Sequence, residues 1–173
     1  MARPVDTTRR AATLAKAAEY VLEHGLADLS LRPLAKALGT SPRMLLYDFG
    51  SKERLIHEIL AEIRRHETSL LDADVHTLDD VWEWISAPER EPFLRLFFEI
   101  YVHALGRAEA QPLVRDWLAY LQKRWTPRAD ATTATLMIAV VRGLLLDRLA
   151  TGDRARTDDA FRRFTQLLDE MRS

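Results

Sequence analysis

The sequence predicts an all-α fold of about nine helices, a small head followed by a larger helical body, and three observations carry that expectation. Residues 29–60, LSLRPLAKALGTSPRMLLYDFGSKERLIHEIL, hold three short helical signals broken by two turns. Helical spacing of apolar residues recurs to the carboxyl end, and no period-2 alternation bounded by turn residues appears. Pro88, Pro112, Pro127 and Gly152 punctuate the remainder at intervals suited to helices. The expected boundary separates a head at 1–52 from a body at 53–173.

The first helix is predicted over Thr7 to His24, burying Leu14, Ala18, Val21 and Leu22 and stopping at Gly25. The second, Ser30 to Leu38, opens on a serine able to accept orphan backbone amides and repeats Leu31, Leu34, Ala35 and Leu38 at helical spacing. Gly39 ends it by taking the left-handed conformation, and Ser41-Pro42 starts the next helix, so the turn is only about three residues long. The third helix, Pro42 to Phe49, is too short to stand alone, since isolated helices below about twelve residues are marginal in water. It must dock through Leu45 and Phe49, which leaves Arg43, Met44 and Tyr47 nearer the outer face. Gly50 ends it, and Ser51 caps a fourth helix running to about Leu71, with Lys52 in its first turn.

Five more helices are expected: Leu78 to Ser86, Glu89 to Gly106, Pro112 to Trp125, Arg128 to Thr151 and Thr157 to Arg172. The eighth is apolar on more than one face and carries Gly143 in its interior, where glycine costs roughly 1 kcal/mol relative to alanine. That cost is more understandable where another backbone packs closely. The ninth offers Phe161, Phe164, Leu167, Leu168 and Met171 on one stripe. Burial of both helices within a single chain is the simpler reading; a dimer face is the alternative.

Composition bounds the function classes. With 47% apolar and 29% charged residues among 173, the chain is globular. No run approaches the roughly 20 apolar residues needed to span a bilayer, and the charged amino terminus does not resemble a signal peptide, so a cytoplasmic protein with no membrane partner is expected. The absence of cysteine excludes disulfides and cysteine-ligated zinc. Net charge is −1. Residues 1–65 carry eleven Lys and Arg against eight Asp and Glu, a balance of +3 that leaves −4 for the rest. A basic head on an acidic body suits a protein offering one end to phosphates.

The motif residues supply the specific signal. Residues 8–60 resemble the amino-terminal domain of the TetR family of transcriptional regulators, through Ala17, Ala18, His24-Gly25, Leu29-Ser30-Leu31, Leu34-Ala35, Leu38-Gly39-Thr40-Ser41 and Phe49-Gly50-Ser51-Lys52-Glu53. The resemblance implies that Pro42 to Phe49 is a recognition helix entering the major groove, and that Thr40 and Lys52 contact phosphates. Arg43 is the candidate for base-edge contact, because arginine can donate two hydrogen bonds to guanine. Ser41, Met44 and Tyr47 join it, and Arg9 and Arg10 are placed to reach flanking phosphates. Two departures stand out. Leu46 occupies a position where members often have tyrosine, and Asp48 one where they often have histidine. A carboxylate there repels phosphates unless Lys52 or an arginine neutralises it.

Arg142-Gly143-Leu144-Leu145-Leu146-Asp147 to Gly152-Asp153 is similar to the family's dimerisation helix, and the last two helices of each subunit would then pair into a four-helix bundle. Expected interface residues are Ile138, Arg142, Gly143, Leu146, Phe161, Phe164 and Leu168. The body would hold a small-molecule effector against Trp82, Phe93, Phe97, Tyr101, His103, Trp117, Tyr120, Met137 and Val141, aromatic and apolar residues at helical spacing that suit a pocket or a plain core. Glu99 and Arg142 are further polar candidates. No GxSxG, phosphate-cradling glycine loop or HExxH occurs, so no enzyme, no cofactor and no metal are expected.

The expected function is a homodimeric, ligand-responsive repressor on a palindromic DNA operator. The alternative is a helical ligand-binding or adaptor dimer that keeps the fold and has lost DNA binding through Asp48.

Overall fold

The computed structural model describes residues 7–27, 29–74, 76–125 and 129–170. These residues contain nine α-helices, two short 3-10 turns and no strand. The chain divides into two compact units, Met1–Asp74 and Val75–Ser173.

In the first unit α1, Thr7–His24, buries Leu14, Ala17, Ala18 and Val21, residues spaced by three and four along one face. It packs on α4, Lys52–Asp74, whose Leu55, Ile59, Leu60 and Ile63 are buried. Between them lie α2, Leu31–Ala37, and α3, Pro42–Phe49. The second helix is shorter than its expected span from Ser30 to Leu38, and the Ser30 hydroxyl makes no cap hydrogen bond. The cap that does form is at Ser41, whose Oγ accepts from Met44 N at 3.2 Å. The fourth helix runs three residues past the expected Leu71.

In the second unit α5, Leu78–Ser86, starts on a reciprocal cap between Thr77 and Asp80. The expected start of the next helix at Glu89 is displaced. Pro88–Arg90 forms a 3-10 turn and α6 covers Glu91–Gly106, because Pro92 has no amide to donate back into the preceding turn. A second 3-10 turn, Ala108–Ala110, precedes α7, Gln111–Trp125.

The eighth helix, Ala131–Thr151, is capped by Asp130, whose carboxylate accepts from Thr132 N at 2.9 Å and Thr133 N at 3.1 Å. Its expected start at Arg128, and the expected end of the ninth helix at Arg172, lie outside the described residues. The ninth helix, Arg154–Glu170, begins three residues before the expected Thr157. Asp153 takes over the capping role by accepting from Arg156 N at 3.1 Å, and Thr157, fully buried, donates to the Arg154 carbonyl at 2.9 Å.

Two apolar clusters hold this unit. Trp82, Ile85, Leu94, Leu145 and Phe161 form one, and Trp125, Ala134 and Met137 the other. At the first, the Trp82 and Phe161 rings stack with centroids 4.5 Å apart. A polar link joins α5, α8 and α9 beside it: Asp158 Oδ1 accepts from Trp82 Nε1 at 2.8 Å and from Arg148 Nη1 at 2.6 Å.

Candidate functional site

Gly39 has φ +65°, a backbone conformation open to glycine at little cost, and it turns the chain between α2 and α3. The Thr40 amide bonds the Ala35 carbonyl at 2.9 Å, closing the end of α2. Pro42 then occupies the first turn of α3, where its missing amide is harmless.

The third helix sorts its residues by face. Leu45 and Phe49 are each 1% exposed and anchor it within the first unit. Arg43, Met44 and Tyr47 are exposed, Tyr47 to 51%. Leu46, which sequence reasoning noted only as a departure, is exposed on the same short helix and extends the apolar part of the outer surface. Gly50, at φ +85°, ends the helix with its amide on the Leu46 carbonyl at 2.8 Å. Ser51 Oγ accepts from Arg54 N at 3.1 Å, so α4 starts immediately and places Lys52, half-buried, in its first turn. The Glu53 carboxyl is held below its ordinary range, first by a backbone amide bond in this turn and then by Ser51.

Asp48 faces inward. Its side chain is 1% exposed, and Arg9 Nη2 lies 2.8 Å from its Oδ1, so the neutralising partner is an arginine and not Lys52. Arg10 reaches the same helix end: its Nε donates to the Asp48 carbonyl at 3.0 Å and its guanidinium lies 4.5 Å from the Phe49 ring centroid. The far nitrogen of Arg10 donates to both oxygens of Glu58 on α4, at 2.7 and 2.6 Å. Arg9 and Arg10 therefore hold α1, α3 and α4 together. Glu58 was not singled out by sequence reasoning, because a carboxylate inside a helix has no local signal that it meets a residue 48 positions away.

In the second unit the predicted effector residues separate. Phe93, Phe97 and Tyr101 on α6 and Trp117 and Tyr120 on α7 come together, half-buried, with neighbouring ring centroids 4.9–6.2 Å apart. Trp82 and Met137 are buried in the two apolar clusters, with Val141 packed on the first, and His103 is exposed. Arg142 joins the aromatic group through the Tyr101 hydroxyl, 2.7 Å from its Nη1.

The predicted dimer residues also separate. Phe161 is 2% exposed and spent on Trp82; Ile138, Phe164 and Leu168 pack on the Trp125 cluster. Gly143 and Leu146 are exposed, and a methyl group placed on Gly143 would meet nothing within 4 Å. Among the described residues nothing lies within 4 Å of that position, so no other helix packs closely on this glycine.

Residues 14–59 match the family described as bacterial regulatory proteins, tetR family. By sequence, this stretch of the first unit is similar to the amino-terminal domain of tetR-family regulators. The match runs from the middle of α1 to the first turns of α4, the region built around the α2–α3 turn. Solved structures of tetR-family fold extend the likeness to the whole chain. A tetR-family member from Streptomyces coelicolor A3 is 24% identical, with 92% of this chain and 97% of that one covered and a TM-score of 0.74. A tetR-family transcriptional regulator from Cytophaga hutchinsonii is 24% identical over 98% of this chain and 97% of that one, TM-score 0.71. The multidrug binding protein EbrR, complexed with proflavin, is 24% identical over 92% and 99%, TM-score 0.67. At this identity the likeness carries the fold. No curated protein matches the chain. Among the described residues no helix is long and apolar enough to cross a membrane, and no cluster of acidic, histidine or cysteine side chains could hold a metal.

Proposed function

We propose that the protein is a homodimeric, ligand-responsive DNA-binding regulator that acts as a repressor and leaves a palindromic operator when a small molecule binds its second unit. The observation that carries this reading is the division of α3, with Leu45 and Phe49 docked and Arg43, Met44, Leu46 and Tyr47 turned outward. A short helix so anchored, following a tight turn, is built to enter a major groove. Arg43 reads a base edge, Met44 and Tyr47 contact the groove, and Thr40, Ser41 and Lys52 position the backbone. The reading makes the protein a cytoplasmic, non-enzymatic regulator.

One α3 reads only a few base pairs. Two, held about 34–36 Å apart, read successive turns of a palindrome. The exposed line Leu136, Ala139, Gly143, Leu146 and Ala150 on α8, spaced three and four apart, supports a second copy there, where the bare Gly143 lets two backbones approach. A ligand against the α6–α7 aromatics needs a coupling of only about 1–3 kcal/mol for roughly 5- to 150-fold release. EbrR, holding proflavin, is a precedent for ligand binding in this fold.

The alternative of a fold-retaining dimer without DNA binding rested on repulsion between Asp48 and phosphates. With the carboxylate buried and 2.8 Å from Arg9, that repulsion is compensated inside the protein. Selection of random duplex DNA by the purified protein, followed by titration of the winner at several salt concentrations, tests the proposal. Enrichment of a palindrome with half-sites about one helical turn apart is expected. Failure of the folded dimer to enrich any sequence overturns it.

A further inference from the structure

Arg142 is half-buried and makes no ion pair among the described residues. Its partners are the Tyr101 hydroxyl, at 2.7 Å, and the Tyr101 ring, whose centroid lies 4.9 Å from its Cζ. Its neighbour on the same helix behaves differently: Arg148 is paired with Asp158 at 2.6 Å. A guanidinium has five N–H donors in a planar fork, and drawing such a charge out of water without a counterion is unfavourable. The unmatched charge borders a wall of rings that are themselves only half-covered.

The wall is built of aromatic rings. Phe93, Phe97 and Tyr101 are spaced by four and share a face of α6. Glu99 and His103 stand two residues to either side of Tyr101, a helical offset that turns them away from that face. Trp117 completes the wall from α7, with its ring centroid 5.8 Å from Phe93 and 6.2 Å from Phe97. A flat apolar surface edged by an unpaired planar cation is complementary to a flat apolar molecule edged by a planar anion.

We infer that this wall binds a planar aromatic carboxylate, its ring against Phe97 and Trp117 and its carboxylate held by the Arg142 fork. The assignment rests on the ligand-responsive reading proposed above and names the effector class. Tyr101 is a positioning residue: its hydroxyl accepts from one arm of Arg142 and leaves the remaining donors for the ligand. Aromatic cations are disfavoured by the same charge.

Calorimetric titration of the full chain with 2-naphthoate, 2-naphthamide and 2-naphthylmethylammonium tests the inference. Naphthoate is expected to bind about tenfold or more tighter than either analogue, as a charge-assisted bidentate pair requires. Arg142→Met should remove about tenfold from naphthoate affinity and leave the amide within about twofold, and Arg142→Lys should retain part of the preference. Tyr101→Phe, which keeps every charge, should weaken naphthoate alone, and unchanged circular dichroism and melting establish that the variants are folded. Equal affinity for the three probes, equal loss of all three in Arg142→Met, or binding of none overturns the assignment. Preference for the amide or the ammonium overturns the carboxylate class and leaves the ligand-responsive reading standing. Naphthoate bound through Arg142 without any change in operator affinity supports the site and removes its effector role.

Discussion

Arg9 Nη2 lies 2.8 Å from Asp48 Oδ1 and so ties the first turn of α1 to the last turn of α3 across 39 residues of chain. A buried carboxylate that loses its cation retains its desolvation cost, so Arg9→Ala is expected to destabilise the protein by about 1–3 kcal/mol. Asp48→Asn removes the charge together with the need for a partner and should cost less. Urea unfolding of both variants decides the matter. A larger loss for Asp48→Asn would mean that Asp48 is held by something other than Arg9.

The two basic residues of the proposed interface should fail differently. Lys52→Ala is expected to weaken DNA binding across all sequences and reduce the salt slope by about one, whereas Arg43→Ala should relax base preference at one position by about 1–3 kcal/mol. Competition titrations against the selected operator and its single-base variants separate the two. If neither substitution changes affinity or preference, α3 is not the reading element.

Association of two copies through α8 predicts that Leu146→Glu, at a position 51% exposed within the chain, keeps the melting temperature of the isolated fold and weakens dimerisation by roughly 100-fold, the cost of burying an unpaired charge. Light scattering across a dilution series measures it. An unchanged dimer would move the interface to another face.

Acid should destabilise the second unit in a defined window. Burial pushes the Asp158 carboxyl up, but hydrogen bonds from Arg148 and Trp82 and the charges of Arg148 and Arg162 outweigh it and hold the group below its ordinary range. Asp147 is lowered by its bond to Arg156, and the capping carboxylates Asp80 and Asp130 by their amide and hydroxyl donors. A carboxyl whose folded pKa is depressed stabilises the fold above its unfolded value, about 3.9 for Asp, and that stabilisation is lost as pH falls through the folded value. Melting temperature should therefore be insensitive to these groups between about pH 5 and 7 and drop below about pH 4. In Asp158→Asn the acid drop should be smaller than in the parent, a difference that circular dichroism melts at several pH values will reveal.

The α2–turn–α3 segment was legible because its signals are local. Gly39, Ser41, Pro42 and Gly50 act on their own backbone or on amides within three residues, so α3 spans Pro42–Phe49 as its punctuation implies. The same locality explains the limits at helix ends. Ser30 has the chemistry of a cap yet makes no such bond, and at the start of α9 Asp153 accepts the Arg156 amide three residues ahead of the expected start at Thr157.

Local patterning thus establishes the helical class, the order of the elements and the outward face of α3. The partners of long polar side chains belong to tertiary structure alone. Arg9 and Arg10, read as able to reach flanking phosphates, bind Asp48 and Glu58 within the chain; Phe161, read as an interface residue, stacks on Trp82; and Arg142 turns to Tyr101. Periodicity states that a helix has a buried face. Which polar group meets each guanidinium across 39, 48 or 41 residues depends on how the helices pack, and a flexible guanidinium carries no local mark of its partner.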